Sequence, residues 1–396
     1  DELSKLQKAG KKDFRISDSD LATDFFGKNM YISASRVEKF YKCPFSYFCE
    51  YGIKAKPRKE AEVDAALSGT LIHYVLEKFL SENPKHEFVK MSENTVEEKL
   101  SEIIDEYVKE NMGGSENKSS SFARTLDLLR KSACKVVMHL IEEFLHCRFT
   151  PADFELKISN DGQIKPYEIS LDNGGTVKIV GSVDRVDTYE TAENTFVRVI
   201  DYKTGGKEFK LGEVFSGLNM QMLIYLFAIW QNGGDYYKNV TPAGVLYFQA
   251  KNPRTKSKNI TRTTDVKEAE DASLRELRMH GMVLNNIDVV NAMEDGCGGM
   301  FIPVDMDKTG ALKGNVISIQ ALSNLKNRVD KIIKNMAEEL QRGYISALPI
   351  EDGCTWCSYK DICKREESDP IREITVPSFD DAISMLRSDS DGENMD

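Results

Sequence analysis

Two short stretches of this sequence carry groups that can do chemistry together. One is Gly181-Ser-Val-Asp184-Arg-Val-Asp187; the other is Val199-Ile-Asp201-Tyr202-Lys203-Thr-Gly205. Asp201 and Lys203 are two apart in a stretch with strand character, and a period of two puts both side chains on one face of a sheet. Tyr202 then points into the other layer. Asp184 lies one hairpin upstream, so adjacent antiparallel strands would bring the two carboxylates to a common rim. Two hard oxygen ligands at close range repel each other unless a cation sits between them, and Mg²⁺ or Mn²⁺ suits such a site. A cation there draws charge from a phosphate and helps to make hydroxide from water. Lys203 can orient or deprotonate that water, or stabilise the charged transition state. An Asp-x-Lys pair alone is a common surface feature; Gly-x-x-Asp-Arg one hairpin upstream makes it specific.

Two further elements belong with this pair. Gln221 and Tyr225, four apart on a helix after the hairpin, share one face. His73, on an early and otherwise apolar helix, offers an imidazole that would suit a further metal position and tolerance of Mn²⁺.

The cysteines form a second constellation. Cys354, Cys357 and Cys363 are spaced by two and five residues, and the best candidate for a fourth thiolate is Cys43, more than 300 residues upstream. Cys49 is a possible substitute. A ligand set drawn from both ends would staple the domain, closing a loop whose entropy is about 5 kcal/mol by analogy with crosslinks. Zinc and an iron–sulfur cluster both remain open; the one-plus-three arrangement suits iron–sulfur better than the paired ligands usual for zinc. Cys134, Cys147 and Cys297 lack cluster spacing.

The elements that must position these groups can be read coarsely. Helices are expected from Ser33, over 68–80, 94–110, 121–147 and 321–345, and in one apolar run, Val214 to Trp230. Strands are expected at Phe154–Ile158, Tyr167–Leu171, Val177–Val183, Phe196–Tyr202 and Ala243–Ala250, separated by turns such as Asp161-Gly162 and Asn173-Gly174-Gly175. Helix, meandering strands, then helix and strand give an α/β sandwich, which is also the core order of restriction-endonuclease-like folds. Residues 1–30 read as a lead-in or linker and 31–365 as one domain. Within it lie a helical insertion at about 84–150 and an irregular one at about 251–300. Residues 366–396 read as an acidic tail or linker.

The bulk numbers narrow the class. The chain has 396 residues, 41% hydrophobic and 30% charged, with a net charge of −11. That charge argues against a passive nucleic-acid coat, but not against a carboxylate site that meets phosphates through cations. Lys54 to Lys59 and Lys251 to Arg262 are locally basic and could line a nucleic-acid path. No apolar run approaches the roughly 20 residues needed to cross a bilayer. Eight cysteines without secretory context point to ligands in a reducing cytoplasm rather than to disulfides. The chain opens at Asp1 in a polar stretch without a signal peptide, which reads as a piece of a longer protein.

The ordered set of motifs resembles the PD-(D/E)xK nuclease domain of AddB-type helicase–nuclease subunits. It comprises Ser33-Ala-Ser-Arg-Val-Glu-Lys-Phe-Tyr-Lys-Cys43-Pro, Gly69-x-x-x-His73, Gly181-x-x-Asp184-Arg, Asp201-Tyr-Lys203, Gln221-x-x-x-Tyr225 and Cys-x₂-Cys-x₅-Cys at 354–363. The resemblance implies a restriction-endonuclease-like core sheet flanked by helices, with Mg²⁺ held by His73, Asp184, Asp201 and the backbone carbonyl of Tyr202. It implies Lys203 as the catalytic lysine, and a structural 4Fe–4S cluster on Cys43, Cys354, Cys357 and Cys363. It also implies an AddA-type helicase–nuclease subunit as heterodimer partner, and hydrolysis of the 5′-ending single strand of DNA during double-strand-break resection and recombinational repair. No Gly-x₄-Gly-Lys-Ser/Thr motif is present, so ATP hydrolysis by this stretch is not expected. Two other readings are a catalytically silent, cluster-stabilised DNA-binding scaffold and a stand-alone CRISPR-type exonuclease.

Overall fold

The computed structural model describes residues 14–56, 65–114, 119–205, 208–250 and 277–392. Helix α1 (Ser19–Phe26), strand β1 (Asn29–Ile32) and helix α2 (Ala34–Lys42) come first. Asp18 caps α1, its carboxylate accepting from the amides of Asp20 and Leu21 at 2.9 and 3.1 Å. Pro44 opens a new helical turn at its first position, where a missing N–H costs nothing. Helices α3 (Ala65–Glu82), α4 (Glu93–Met112) and α5 (Ser120–Leu145) follow. Ser92 and Ser119 cap the last two, and Gly113, with a φ of +73°, closes α4 in the left-handed region.

The strand-rich part begins with β2 (Thr150–Ile158), β3 (Tyr167–Ser170), β4 (Thr176–Ile179), β5 (Gly181–Glu190) and β6 (Thr195–Lys203). Helix α6 (Gln221–Asn232) leads into β7 (Val240–Gln249) and β8 (His280–Leu284). A small hairpin of β9 (Val304–Met306) and β10 (Leu312–Gly314) precedes β11 (Val316–Ile317), α7 (Ile319–Gln341) and α8 (Phe379–Gly392).

The main sheet has six strands in the order β11-β8-β7-β6-β5-β2. Strands β2, β5 and β6 are antiparallel neighbours, while β6 and β7 run parallel across a crossover that contains α6. Alternation along the strands divides the core. Val197, Val199, Val245 and Tyr247 face a layer built from α2, α6, α7 and α8. Ile200, Tyr202, Leu246 and Phe248 face α3, α4 and α5. This is an α/β fold with a mixed central sheet flanked by helices. Among the described residues, no helix is long and apolar enough to cross a membrane.

The structure departs from the sequence expectations in five places. The expected strand Val177–Val183 is two strands. The Val180 amide donates to the Ile32 carbonyl at 3.1 Å, so β4 joins the separate sheet β1-β4-β3 while β5 enters the main one. The expected helix from Val214 starts only at Gln221, because Gly217 and Asn219 take positive φ values of +80° and +55° before it. The 251–300 region is not wholly irregular: β8 is a member of the main sheet and Ile287–Met293 is helical, while 251–276 lie outside the described residues.

The other two departures are at the ends. The stretch read as an acidic tail contains α8, whose Ala382, Ile383 and Leu386 are buried and whose Leu386 carbonyl accepts from Asn324 at 2.7 Å. Ser/Asp-rich composition hides an apolar stripe at helical spacing. The lead-in from residue 14 onward is docked too, with the Ile16 amide on the Gly343 carbonyl at 2.9 Å and Ala22 fully buried; residues 1–13 lie outside the described residues.

Candidate active site

Three acids stand in a row across three strands. Arg185 pairs with Ile200 and Val186 with Val199, so the next step of that register sets Asp184 opposite Asp201. On the other side, Phe154 pairs with Arg185 and Leu156 with Val183, which sets Glu155 opposite Asp184. Glu155 has a φ of +46°, unusual for a residue with a side chain. Its carboxylate accepts from the Ser182 hydroxyl at 2.6 Å.

His73 reaches this row from α3. Its Nε2 lies 2.9 Å from the Tyr202 carbonyl and its Nδ1 3.3 Å from Asp184 Oδ2. The Tyr202 amide donates to the same Asp184 oxygen at 2.9 Å. Gly69, one turn before His73, brings the helix close: a Cβ there would lie 3.4 Å from Thr204 Oγ1. His73, Glu155 and Asp184 each offer a ligand atom, all within 4.8 Å of one another. Burial, and then the negative charge of Asp201, push the Asp184 carboxyl up to about 6, with His73 pulling the other way. A crowded, desolvated carboxylate row with an imidazole and a carbonyl at its end has the donor chemistry of a divalent-cation site.

Lys203 lies on the same face as Asp201. Its ammonium sits against Asp201 Oδ2, a contact with ionic rather than hydrogen-bond geometry. It also lies 5.1 Å from the ring centre of Tyr247. Tyr225, on α6, faces this end of the sheet, and burial together with Asp201 and Asp184 pushes its hydroxyl up to about 12. Its ring packs on Gly181, where an added Cβ would collide with the Tyr225 hydroxyl oxygen. Gln221 is the first residue of α6, one turn from Tyr225. Its amide and that of Met220 donate to Glu38 Oε1 at 3.4 and 3.0 Å. The structure thus brings His73, Asp184, Asp201, Tyr202 and Lys203 together, with Tyr225 at their edge.

The three cysteines singled out by spacing and the fourth candidate, Cys43, line one cavity of about 340 Å³, together with Phe45, Ser46, Ala347 and Pro349. Cys43 follows α2, and the other three come from the segment after α7. Burial pushes the Cys43 thiol up to about 11; the backbone amides of Ser46 and Phe45 pull it back, and Cys363 and Cys357 push it up again. Cys49 is fully buried and feels Cys357 and Cys363 electrostatically, but does not line the cavity. Cys134, Cys147 and Cys297 are buried and free.

Glu155 escapes sequence reading because Phe154-Glu155-Leu156 reads as an ordinary half-exposed strand; only register reveals its place. Of the two basic stretches, Lys54 to Lys56 are described, whereas 57–59 and 251–262 lie outside the described residues.

Residues 31–364 match the family model of the PD-(D/E)XK nuclease superfamily. The chain is also similar to proteins named as ATP-dependent helicase/deoxyribonuclease subunits of the B type. With that of Clostridioides difficile (strain 630) it is 32% identical over 379 residues, which is 91% of this chain and 33% of the relative. With that of Acetivibrio thermocellus it is 32% identical over 350 residues, 86% of this chain and 30% of the relative. With that of Thermoanaerobacter sp. (strain X514) it is 32% identical over 387 residues, 92% of this chain and 33% of the relative. The chain therefore spans about a third of the length of these relatives. A match over most of its length, on a mixed sheet whose strand ends gather acids and a lysine, shows that this chain belongs to the PD-(D/E)XK nuclease superfamily.

Proposed function

We propose that this domain hydrolyses phosphodiester bonds of single-stranded DNA, on the 5′-ending strand, as the nuclease part of a cytoplasmic helicase–nuclease subunit that works with an AddA-type partner in double-strand-break resection. The observation that carries the hydrolytic reading is the convergence of His73, Asp184, Asp201 and the Tyr202 carbonyl beside Lys203. These are the groups that would hold Mg²⁺ or Mn²⁺. When bound, the cation supplies Lewis-acid stabilisation of the phosphate and a more acidic water. Lys203 is the group placed to hold that water or take its proton. As the water oxygen bonds to phosphorus, the P–O bond to the leaving sugar oxygen breaks and that oxygen departs with a proton. Tyr225 closes one side of the site and limits access of bulk water. The row of acids repels a bare phosphate, so substrate entry depends on the cation.

A 4Fe–4S cluster on Cys43, Cys354, Cys357 and Cys363 is proposed as a structural staple. Their shared cavity supports it. The one-plus-three arrangement of these cysteines along the chain suits a cluster better than the two local pairs usual for zinc.

The test is cleavage of end-labelled single-stranded DNA with and without Mg²⁺, by the intact chain and by Asp201→Ala. Cleavage that needs Mg²⁺ and is lost in the variant is expected. Equal cleavage by Asp201→Ala would overturn the assignment of the site.

A further inference from the structure

Behind the acid row, on the opposite face of the sheet, four charged side chains are sealed from solvent. Arg185, Asp187 and Arg198 are 0% exposed and Glu143 1%. Arg185 Nε lies 2.9 Å from Asp187 Oδ1, and its NH2 donates to Asp187 Oδ2 at 3.1 Å. Arg198 Nε donates to the same Asp187 oxygen at 2.9 Å, and Arg198 NH2 reaches Glu143 Oε1 at 2.6 Å. Arg185 NH2 and Glu143 Oε2 close the ring at 3.8 Å. Two guanidiniums and two carboxylates balance, so the quartet adds no net charge.

Buried ion networks of this kind are weak devices for stability, because desolvation cancels much of the attraction; an apolar set of similar volume is often as stable. What such a network can supply, and an apolar set cannot, is direction. The placement indicates what it directs. Asp184 and Arg185 are consecutive on β5, and Asp201 and Tyr202 on β6, so each acid at the rim has a neighbour pointing into the opposite layer. Arg185 NH1 donates to the Tyr202 hydroxyl at 3.4 Å, and the guanidinium lies 5.6 Å from the centre of that ring. It also lies 5.2 Å from the ring of Phe144, next to Glu143 on α5. The main chain of Tyr202 meets His73 and Asp184, and its ring lies edge to face with that of His73 at 5.6 Å between centres.

We propose that Glu143, Arg198, Asp187 and Arg185 act as positioning residues for the cation site, clamping Tyr202 from behind so that its carbonyl and amide stay aimed at His73 and Asp184. The inference rests on the cation-site reading above. It makes helix α5, which contributes nothing to the acid row itself, a determinant of how tightly the row holds a cation. Ligand-orienting groups that do not touch the metal commonly change affinity or activity by about 10- to 100-fold.

The experiment is Mn²⁺ binding to the intact chain without DNA, followed by the electron paramagnetic resonance signal of free Mn²⁺, with thermal unfolding and the kcat and KM of single-strand cleavage measured alongside. Arg185→Met is expected to weaken Mn²⁺ binding about tenfold and to lower kcat, leaving KM for DNA within about twofold. Arg185→Lys, which keeps the charge but not the fork, is expected to recover part of that loss. Tyr202→Phe, which removes only the hydroxyl, is expected to give a smaller loss in a well-folded protein, and it decides the matter if Arg185→Met does not fold. Unchanged Mn²⁺ affinity in folded Arg185→Met, or in Tyr202→Phe where Arg185→Met is unfolded, would overturn the clamp while leaving the cation site standing. Absence of Mn²⁺ binding by the unaltered chain would remove the cation site and the clamp together.

Discussion

The imidazole of His73 and the main-chain carbonyl of Tyr202 meet at 2.9 Å, although 129 residues separate them. One comes from a helix over the sheet, the other from a strand end, and a hydrogen bond joins them while their rings pack edge to face at 5.6 Å. Replacing His73 by Ala should weaken Mn²⁺ binding by at least about tenfold. Calorimetric titration of the intact chain checks this, with thermal unfolding showing that the half-exposed side chain is not needed for the fold. Equal affinity would remove His73 from the ligand set.

The acid row sets a pH dependence. Asp184 is held at about 6 in the folded, metal-free chain, against an ordinary 3.8, by burial and by Asp201. A folded-state value above the unfolded one means that the folded state holds the proton more tightly. That contribution to stability is fully present below about 3.8 and is lost as pH rises through about 6. Metal-free protein should therefore show a falling unfolding midpoint across this window, and Mn²⁺ should restore it at neutral pH. Glu155→Gln, which removes a like charge beside Asp184, should flatten the slope. A midpoint independent of pH and of Mn²⁺ between about 4 and 7 would contradict the arrangement.

Gly181 owes its place to Tyr225. A Cβ at this position would lie 2.7 Å from two ring carbons of that buried side chain, and closer still to its hydroxyl oxygen. Gly181→Ala should cost about 1–3 kcal/mol through overpacking and should reduce cleavage, because the displaced ring borders the carboxylates. Chemical denaturation and a cleavage assay on the same preparation measure both. Tyr225→Leu in the Gly181→Ala background should restore stability more than activity.

The cysteine cavity makes a chemical prediction. The protein should be brown, with about four irons per chain, and Cys43→Ser should lose the colour and lower the unfolding midpoint. Cys49→Ser should keep both, since its thiol does not line the cavity. One zinc per chain in a colourless protein would rule out the cluster.

Much of the site can be read from spacing alone, because period two fixes the faces of Asp201, Tyr202 and Lys203, and one hairpin brings Asp184 beside them. Chelate spacing likewise points to Cys354, Cys357 and Cys363, while Cys43, which no spacing ties to them, is seen beside them only in the shared cavity. What spacing cannot carry is register between distant strands, and so Glu155 on β2 stays hidden. The buried quartet is hidden for a related reason: Arg185, Asp187 and Arg198 look like surface charges on a hairpin until α5 is laid over them. The docked C-terminal helix shows the same limit in composition, where Asp and Ser outnumber the three side chains that anchor it.

The cavity that joins Cys43 to Cys354, Cys357 and Cys363 also orders events during synthesis. Cys43 precedes the main sheet in the chain, and the other three thiols follow all of its described strands, so they emerge from the ribosome after those strands. A cluster bound there would then be the final fastening, set once the sheet is built. A chain halted short of Cys354 would contain the complete acid row yet lack the bond that ties α2 to the rest. Assembly of the staple would thus wait for synthesis of the segment that carries Cys354, Cys357 and Cys363, and for a supply of iron.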